Sequence, residues 1–171
     1  MSDLSFTRIN ESLPRVAIIG RPNVGKSTLF NRLIHSRRSI TDPTPGVTRD
    51  PIEAEIRVNG LPVVLVDTGG YSVETGEFDD LVMARCVEEM QRAHLVLCVI
   101  DVVEITPEDE ELFKAARSHA VQTMLVVNKV DNEQREIDAW NHHALGFETV
   151  VHVSAEHNRQ IDELVQSIAK K

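Results

Sequence analysis

Arg15-Val-Ala-Ile-Ile-Gly20-Arg21-Pro22-Asn23-Val24-Gly25-Lys26-Ser27-Thr28 decides the fold. Arg15 to Ile19 is an apolar strand, Gly20 to Ser27 is a Gly-x-x-x-x-Gly-Lys-Ser loop, and Leu29, Phe30, Leu33 and Ile34 then repeat at helical spacing. Strand, glycine loop and helix together predict a phosphate cradle. Gly20 and Gly25 let the backbone turn where a Cβ would clash, so that N–H groups from Asn23 to Thr28 can point at phosphate oxygens at the positive end of the helix. Lys26 adds a point charge for the β- and γ-phosphates, and the Ser27 hydroxyl suits a Mg²⁺ ion that keeps most of its waters.

The rest of the chain alternates strand and helix. Two strands, Ile52 to Val58 and Leu61 to Val66, flank Asn59-Gly60, the dipeptide that favours a tight hairpin turn. Helices near Leu81 to Arg92, Glu108 to His119 and Gln134 to Ala144 lead into strands Leu95 to Ile100, Thr123 to Val127 and Thr149 to Val153. A last helix carries the stripe Ile161, Leu164, Val165 and Ile168. This order predicts an α/β fold, a mostly parallel sheet with helices on both faces and one antiparallel edge strand. Ligands of such sheets sit at the carboxyl ends of the strands. Arg37 to Pro51 and Thr68 to Asp80 break the regularity, and irregular segments of this length tend to be functional.

Composition narrows the classes. A chain of 171 residues can sustain one core. The excess of 27 acidic over 18 basic residues argues against gripping nucleic acid or an anionic membrane by bulk charge. Cys86 and Cys98 have no metal-ligand spacing and read as reduced core thiols, which suggests a cytoplasmic location. No stretch is apolar enough to span a membrane, and Met1 to Pro14 lacks the pattern of a signal peptide. The histidines, including His35, His119, His152 and the adjacent His142 and His143, read as solvated or core residues without partners.

Further boxes lie where the sheet should deliver them. Thr48, in Thr44-Pro-Gly-Val-Thr-Arg-Asp50, can complete a Mg²⁺ shell and offer its N–H to a γ-phosphate. Asp67-Thr68-Gly69-Gly70 ends a buried strand, where Asp67 would hold Mg²⁺ through water and the Gly70 N–H would touch the γ-phosphate. Loss of that phosphate would then release both irregular segments, an order-to-disorder switch. Asn128-Lys129-Val130-Asp131 selects the base: the Asp131 carboxylate can accept from N1–H and the 2-amino group of guanine, which adenine cannot match. Asn128 can tie base and loops together, the Lys129 stem would lie along the ring, and Ser154-Ala155-Glu156 can offer the Ala155 N–H to guanine O6.

Together these boxes resemble those of small GTPases of the translation-factor-related class. More narrowly, across residues 15–169 the chain resembles the first GTPase domain of the Der (EngA) family of bacterial ribosome-assembly proteins, in the TrmE-Era-EngA-like group. The carrying stretches are Gly20 to Leu33, Thr44 to Asp50, Asp67 to Gly70, Thr106-Pro-Glu-Asp-Glu-Glu111, Val127 to Asp131 and Ser154 to His157. The resemblance implies a P-loop, Ras-like GTPase domain with a six-stranded sheet. Residues 1–14 form an N-terminal lead, and a second GTPase domain and an RNA-contacting KH-like domain are expected elsewhere in a longer protein. The implied partners are GTP or GDP and the 50S ribosomal subunit, with no membrane and no direct nucleic-acid contact by this domain alone. Asn158 and Gln160 stand where the family often has glycines, and His94 where it often has Asp.

The expected catalytic positions are Lys26, Thr48 and Gly70, and the expected nucleotide contacts run from Gly20 to Thr28, including Arg21, Pro22 and Val24, and from Asp67 to Tyr71. Many GTPases place a water-orienting Gln where Tyr71 stands. Asn23 admits two readings: in relatives with this loop an Asn helps hold a K⁺ near the phosphates, or the side chain bonds its own loop backbone. Two functions follow, a slow GTP-hydrolysing switch or a nucleotide-dependent binding module that barely hydrolyses.

Overall fold

The computed structural model describes residues 12–36, 51–69 and 80–171. Thr48, Gly70, Tyr71 and most of both irregular segments lie outside the described residues. Strands β1 (Arg15–Ile19), β2 (Ile52–Val58), β3 (Leu61–Asp67), β4 (Leu95–Asp101), β5 (Thr123–Asn128) and β6 (Val150–His152) form one sheet. Their order is β2-β3-β1-β4-β5-β6. All neighbours are parallel except β2 and β3, whose hairpin register pairs Val58 with Leu61 across Asn59-Gly60. The expected six-stranded sheet with one antiparallel edge is what forms.

Helices α1 (Lys26–Ser36), α2 (Asp80–Arg92), α3 (Pro107–His119), α4 (Glu133–Trp140) and α5 (Ile161–Ala169) cover both faces. Side chains alternate along a strand, so each strand supplies two cores. Val16, Ile18, Leu97 and Val126 pack with Leu29 and Leu33 of α1 and Leu164 and Ile168 of α5. Ala17, Ile19, Cys98 and Val127 pack with Met90 of α2, Phe113 of α3 and Ala139 of α4. The central strands are therefore continuously apolar, while β2 alternates, burying Ala54, Ile56 and Val58. Burial pushes the thiols up, Cys86 to about 11 and Cys98 to about 12, so both behave as small apolar groups.

Two local differences from the sequence reading have clear causes. The helix expected over 134–144 is α-helical only to Trp140 and continues as a 3-10 segment, Asn141–Leu145. It ends at Gly146 in the left-handed region (φ 81°), while His142 Nε2 lies 2.9 Å from the Val102 carbonyl oxygen. Tertiary anchoring thus tightens the last turn at the expense of regular helix. His152, expected to lack a partner, instead lies against both Glu136 and His143. Hydrophobic spacing carries no information about that meeting of β6, α4 and the 3-10 segment.

The departures at Asn158 and Gln160 also acquire a physical meaning. Both adopt positive φ, 55° and 57°, the region in which glycine is unstrained. His94 replaces an acidic residue in kind, because its Nδ1 accepts from the Arg15 N–H at 3.1 Å. Gln160 is exposed and a poorer left-handed residue than Asn. Gln160→Gly is therefore expected to stabilise the domain by about 0.5–1 kcal/mol, read from the urea midpoint at unchanged slope.

Candidate functional site

The carboxyl ends of β1, β3, β5 and β6 deliver the phosphate loop, Asp67, Asn128 and the loop at Ser154 to one end of the sheet. The loop after β1 admits no side chain at its glycines. A Cβ on Gly20 would stand 2.6 Å from the Val99 carbonyl oxygen, and one on Gly25, at φ 97°, 2.3 Å from Asn128 Nδ2. Close backbone approach, and not flexibility, fixes these two residues.

Lys26 opens α1 and is buried, with Nζ donating to the Arg21 carbonyl at 2.8 Å. Burial lowers its pKa, and Asp67 only partly offsets the effect. Among the described residues no carboxylate pairs with it, so an ammonium is held inside the loop with a single carbonyl acceptor. A group of that charge is suited to phosphate oxygens. Beside it, Ser27 Oγ donates to Asp67 Oδ2 at 3.0 Å, and Asp67 Oδ1 accepts from the Gly69 N–H at 2.8 Å. A hydroxyl and an oriented carboxylate form the hard-oxygen donor set that Mg²⁺ takes. Thr68 serves the sheet, its hydroxyl donating to the Ile18 carbonyl at 2.8 Å.

Arg21 shows where motif membership and side-chain role part. Its guanidinium donates to Asp109 at 3.0 Å and lies 3.6 Å from Glu104, so its side chain fastens the loop to α3. Asp109 also accepts from the Thr106 N–H at 3.0 Å, a capping contact that gives the Thr106 to Glu111 stretch a structural purpose. Val24 is buried and offers its carbonyl to Asn128, Pro22 is half-buried, and the Thr28 side chain is exposed.

The Asn128-Lys129-Val130-Asp131 box is tied to these elements by hydrogen bonds. Asn128 donates from Nδ2 to the Val24 carbonyl at 2.9 Å and accepts at Oδ1 from the Ala155 N–H at 3.1 Å. The side chain thus joins two loops. The Ala155 N–H, expected to face guanine O6, is directed at Asn128 in this arrangement. Lys129 has φ 65°, and its ammonium bridges the Asn23 carbonyl at 2.7 Å and Asp101 at 2.9 Å. Burial would raise the Asp101 pKa, but hydrogen bonds from Lys129 and the Val103 N–H hold it below the usual carboxylate value. With the Asn23 backbone carbonyl engaged, a cation role would rest on its side chain, which makes no hydrogen bond among the described residues.

Asp131 is exposed and accepts from Ser154 Oγ at 2.7 Å, while that Oγ accepts from the His157 N–H at 3.2 Å. Ser154 therefore orients the carboxylate and leaves it open to a ligand. Arg32 was not singled out in the sequence, yet its guanidinium donates to the Ala155 and Glu156 carbonyls, both at 2.8 Å. Its position off the apolar stripe of α1 is the only sequence signal, and it does not say what Arg32 reaches.

Comparison with known proteins agrees with this geometry. The family model described as 50S ribosome-binding GTPase matches residues 15–129. GTPase Der of Aquifex aeolicus is 44% identical over 160 residues, covering 91% of this chain and 36% of the relative. GTPase Der of Borrelia garinii subsp. bavariensis is 42% identical over 153 residues, covering 90% and 35%. The chain thus spans about a third of the length of these curated relatives. Among solved structures, the G domain of the T. maritima FeoB iron transporter aligns with TM-score 0.68 and 28% identity, covering 92% of this chain and 98% of that one. Aquifex aeolicus Era bound to GDP and AlF4⁻ aligns with TM-score 0.67 and 26% identity, covering 92% and 56%. With the phosphate loop, Asp67, the Asn128 box and the sheet order in place, the chain belongs to the 50S ribosome-binding GTPase family.

Proposed function

We propose that this domain binds GTP with Mg²⁺, hydrolyses it slowly to GDP and phosphate, and acts in the cytoplasm as a switch in assembly of the large ribosomal subunit. The observation that carries the reading is the convergence of a buried Lys26, with no carboxylate paired to it among the described residues, and a Ser154-oriented Asp131 on the same end of one sheet. Within that end, the Lys26 side suits phosphates and the Asp131 side suits the paired donors of guanine. The ribosomal part is supported by the family description and by the likeness to Der proteins.

In this reading the loop N–H groups and Lys26 bind the phosphates, and Asp131 orients the base. Ser27, Thr48 and, through water, Asp67 would hold Mg²⁺, which supplies neutralisation of phosphate charge. The Asn23 side chain is the candidate contributor to a K⁺ site near the same phosphates. The Gly70 and Thr48 N–H groups would sense the third phosphate. Tyr71, in place of a water-orienting Gln, favours a second reading, a nucleotide-dependent binding module with negligible turnover in this domain alone.

Three measurements test the proposal. Asp131→Asn should move preference from GTP toward xanthosine triphosphate by about 10-fold or more, and unchanged selectivity in competition binding would refute the base contact. Lys26→Met should weaken GDP binding by about 100-fold without lowering the urea midpoint, because it removes both a phosphate contact and a desolvated charge. Phosphate release at saturating GTP should be about 10-fold or more faster in K⁺ than in Na⁺. Normal GTP binding with no turnover in either salt would leave only the binding-module reading.

A further inference from the structure

His152, Glu136 and His143 form a side-chain chain at the β6 edge that the nucleotide boxes do not use. His152 is buried and faces α4: its neighbours Val151 and Val153 pack in the core under α1 and α5, whereas Val150 packs on the opposite side. Its Nδ1 lies 2.8 Å from Glu136 Oε1, and its Nε2 lies 2.9 Å from His143 Nε2. Trp140, the chain's only tryptophan, stacks on His143 at 4.6 Å and meets the His152 ring edge-on at 5.3 Å. The groups facing the rings are Glu136 from α4 and His142 from the 3-10 segment. On β5, His152 pairs with the apolar Val127.

This chain closes a ring with the base-selecting residues. Asp131 leads through Asn132, the N-cap, into α4 and Glu136; Glu136 meets His152; two residues later Ser154 donates back to Asp131. We propose that Glu136, His152 and His143 are positioning residues for guanine recognition, a hydrogen-bonded clamp that holds Asp131 beside Ser154 and opens when both rings are protonated. The inference rests on the reading of Asp131 as the guanine contact.

Proton bookkeeping gives the clamp its sensitivity. With both rings neutral, His152 donates from Nδ1–H to Glu136 and accepts at Nε2 from His143 Nε2–H. One added proton is accommodated: His152 donates at both nitrogens, to Glu136 and to a His143 whose own proton has moved to Nδ1. A second proton sets two N–H donors and two positive rings face to face across 2.9 Å. Burial, then His152 and His142, lower the His143 pKa, so the clamp is intact above the ordinary histidine value of about 6.5 and is lost as pH falls through the lower folded value.

GDP affinity measured by calorimetry from about pH 7.5 to about pH 5.5, together with Trp140 emission, tests this. The parent should lose about 5- to 10-fold in affinity over that range, and Trp140 emission should titrate at a midpoint that moves down when GDP is bound. His143→Ala, at an exposed position, removes one contact of the clamp and keeps Glu136–His152, so it should bind GDP about two- to threefold more weakly than the parent at neutral pH and lose the acid dependence. His152→Gln should bind more weakly already at neutral pH and show a flat profile. Normal binding with no pH dependence, or the parent's acid loss retained in His143→Ala, would overturn the clamp alone. A parent that binds no GDP at any pH would overturn the guanine reading and the clamp with it.

Discussion

The Asn128 carboxamide is the contact on which the site depends. It is buried, donates to the phosphate loop at Val24 and accepts from the loop after β6 at Ala155. A hydrogen bond of this kind contributes about 1 kcal/mol net, but a buried amide left unpaired costs about 1–3 kcal/mol. The three loops therefore take positions that satisfy Asn128 together or not at all. Gly25 belongs to the same constraint, since any side chain there would occupy the space of the Asn128 amide.

Strain and charge are concentrated around that contact. Lys129 and Asn23 both have positive φ, at a cost of roughly 1–2 kcal/mol for each residue. The Lys129 ammonium offsets part of this by hydrogen bonding to the Asn23 carbonyl and pairing with Asp101, so the strained residues brace each other. Arg21 and Arg32 add outer ties, one to α3 and one to the loop after β6. Among the described residues Lys26 is the buried cation with no carboxylate paired to it, and Asp67 only partly offsets its burial. Structural charges are paired, whereas the charge assigned to phosphate is not, and this contrast separates support from site.

Most of the architecture could be read from the chain because its signals are local. Apolar strands, helical stripes and Asn59-Gly60 each act within a few residues, and the phosphate loop is a contiguous backbone motif. The boundaries that shifted were those set by tertiary contacts, as at the 3-10 segment after Trp140. Motif membership was legible as well, but side-chain roles within motifs were less so. Arg21 turned out to pair with Asp109, Thr68 to bind the Ile18 carbonyl, and the Ala155 N–H to serve Asn128.

By itself the sequence determined the doubly covered sheet, the glycine loop between β1 and α1 and the Asn128-Lys129-Val130-Asp131 box after β5, because periodicity and contiguous spacing encode them. Only the tertiary structure decided which distant groups meet: Arg32 with the carbonyls after β6, Ser154 with Asp131, and His152 with Glu136 and His143. Those pairs join residues between 9 and 124 positions apart. Their distances depend on strand register and helix placement, which no local pattern specifies.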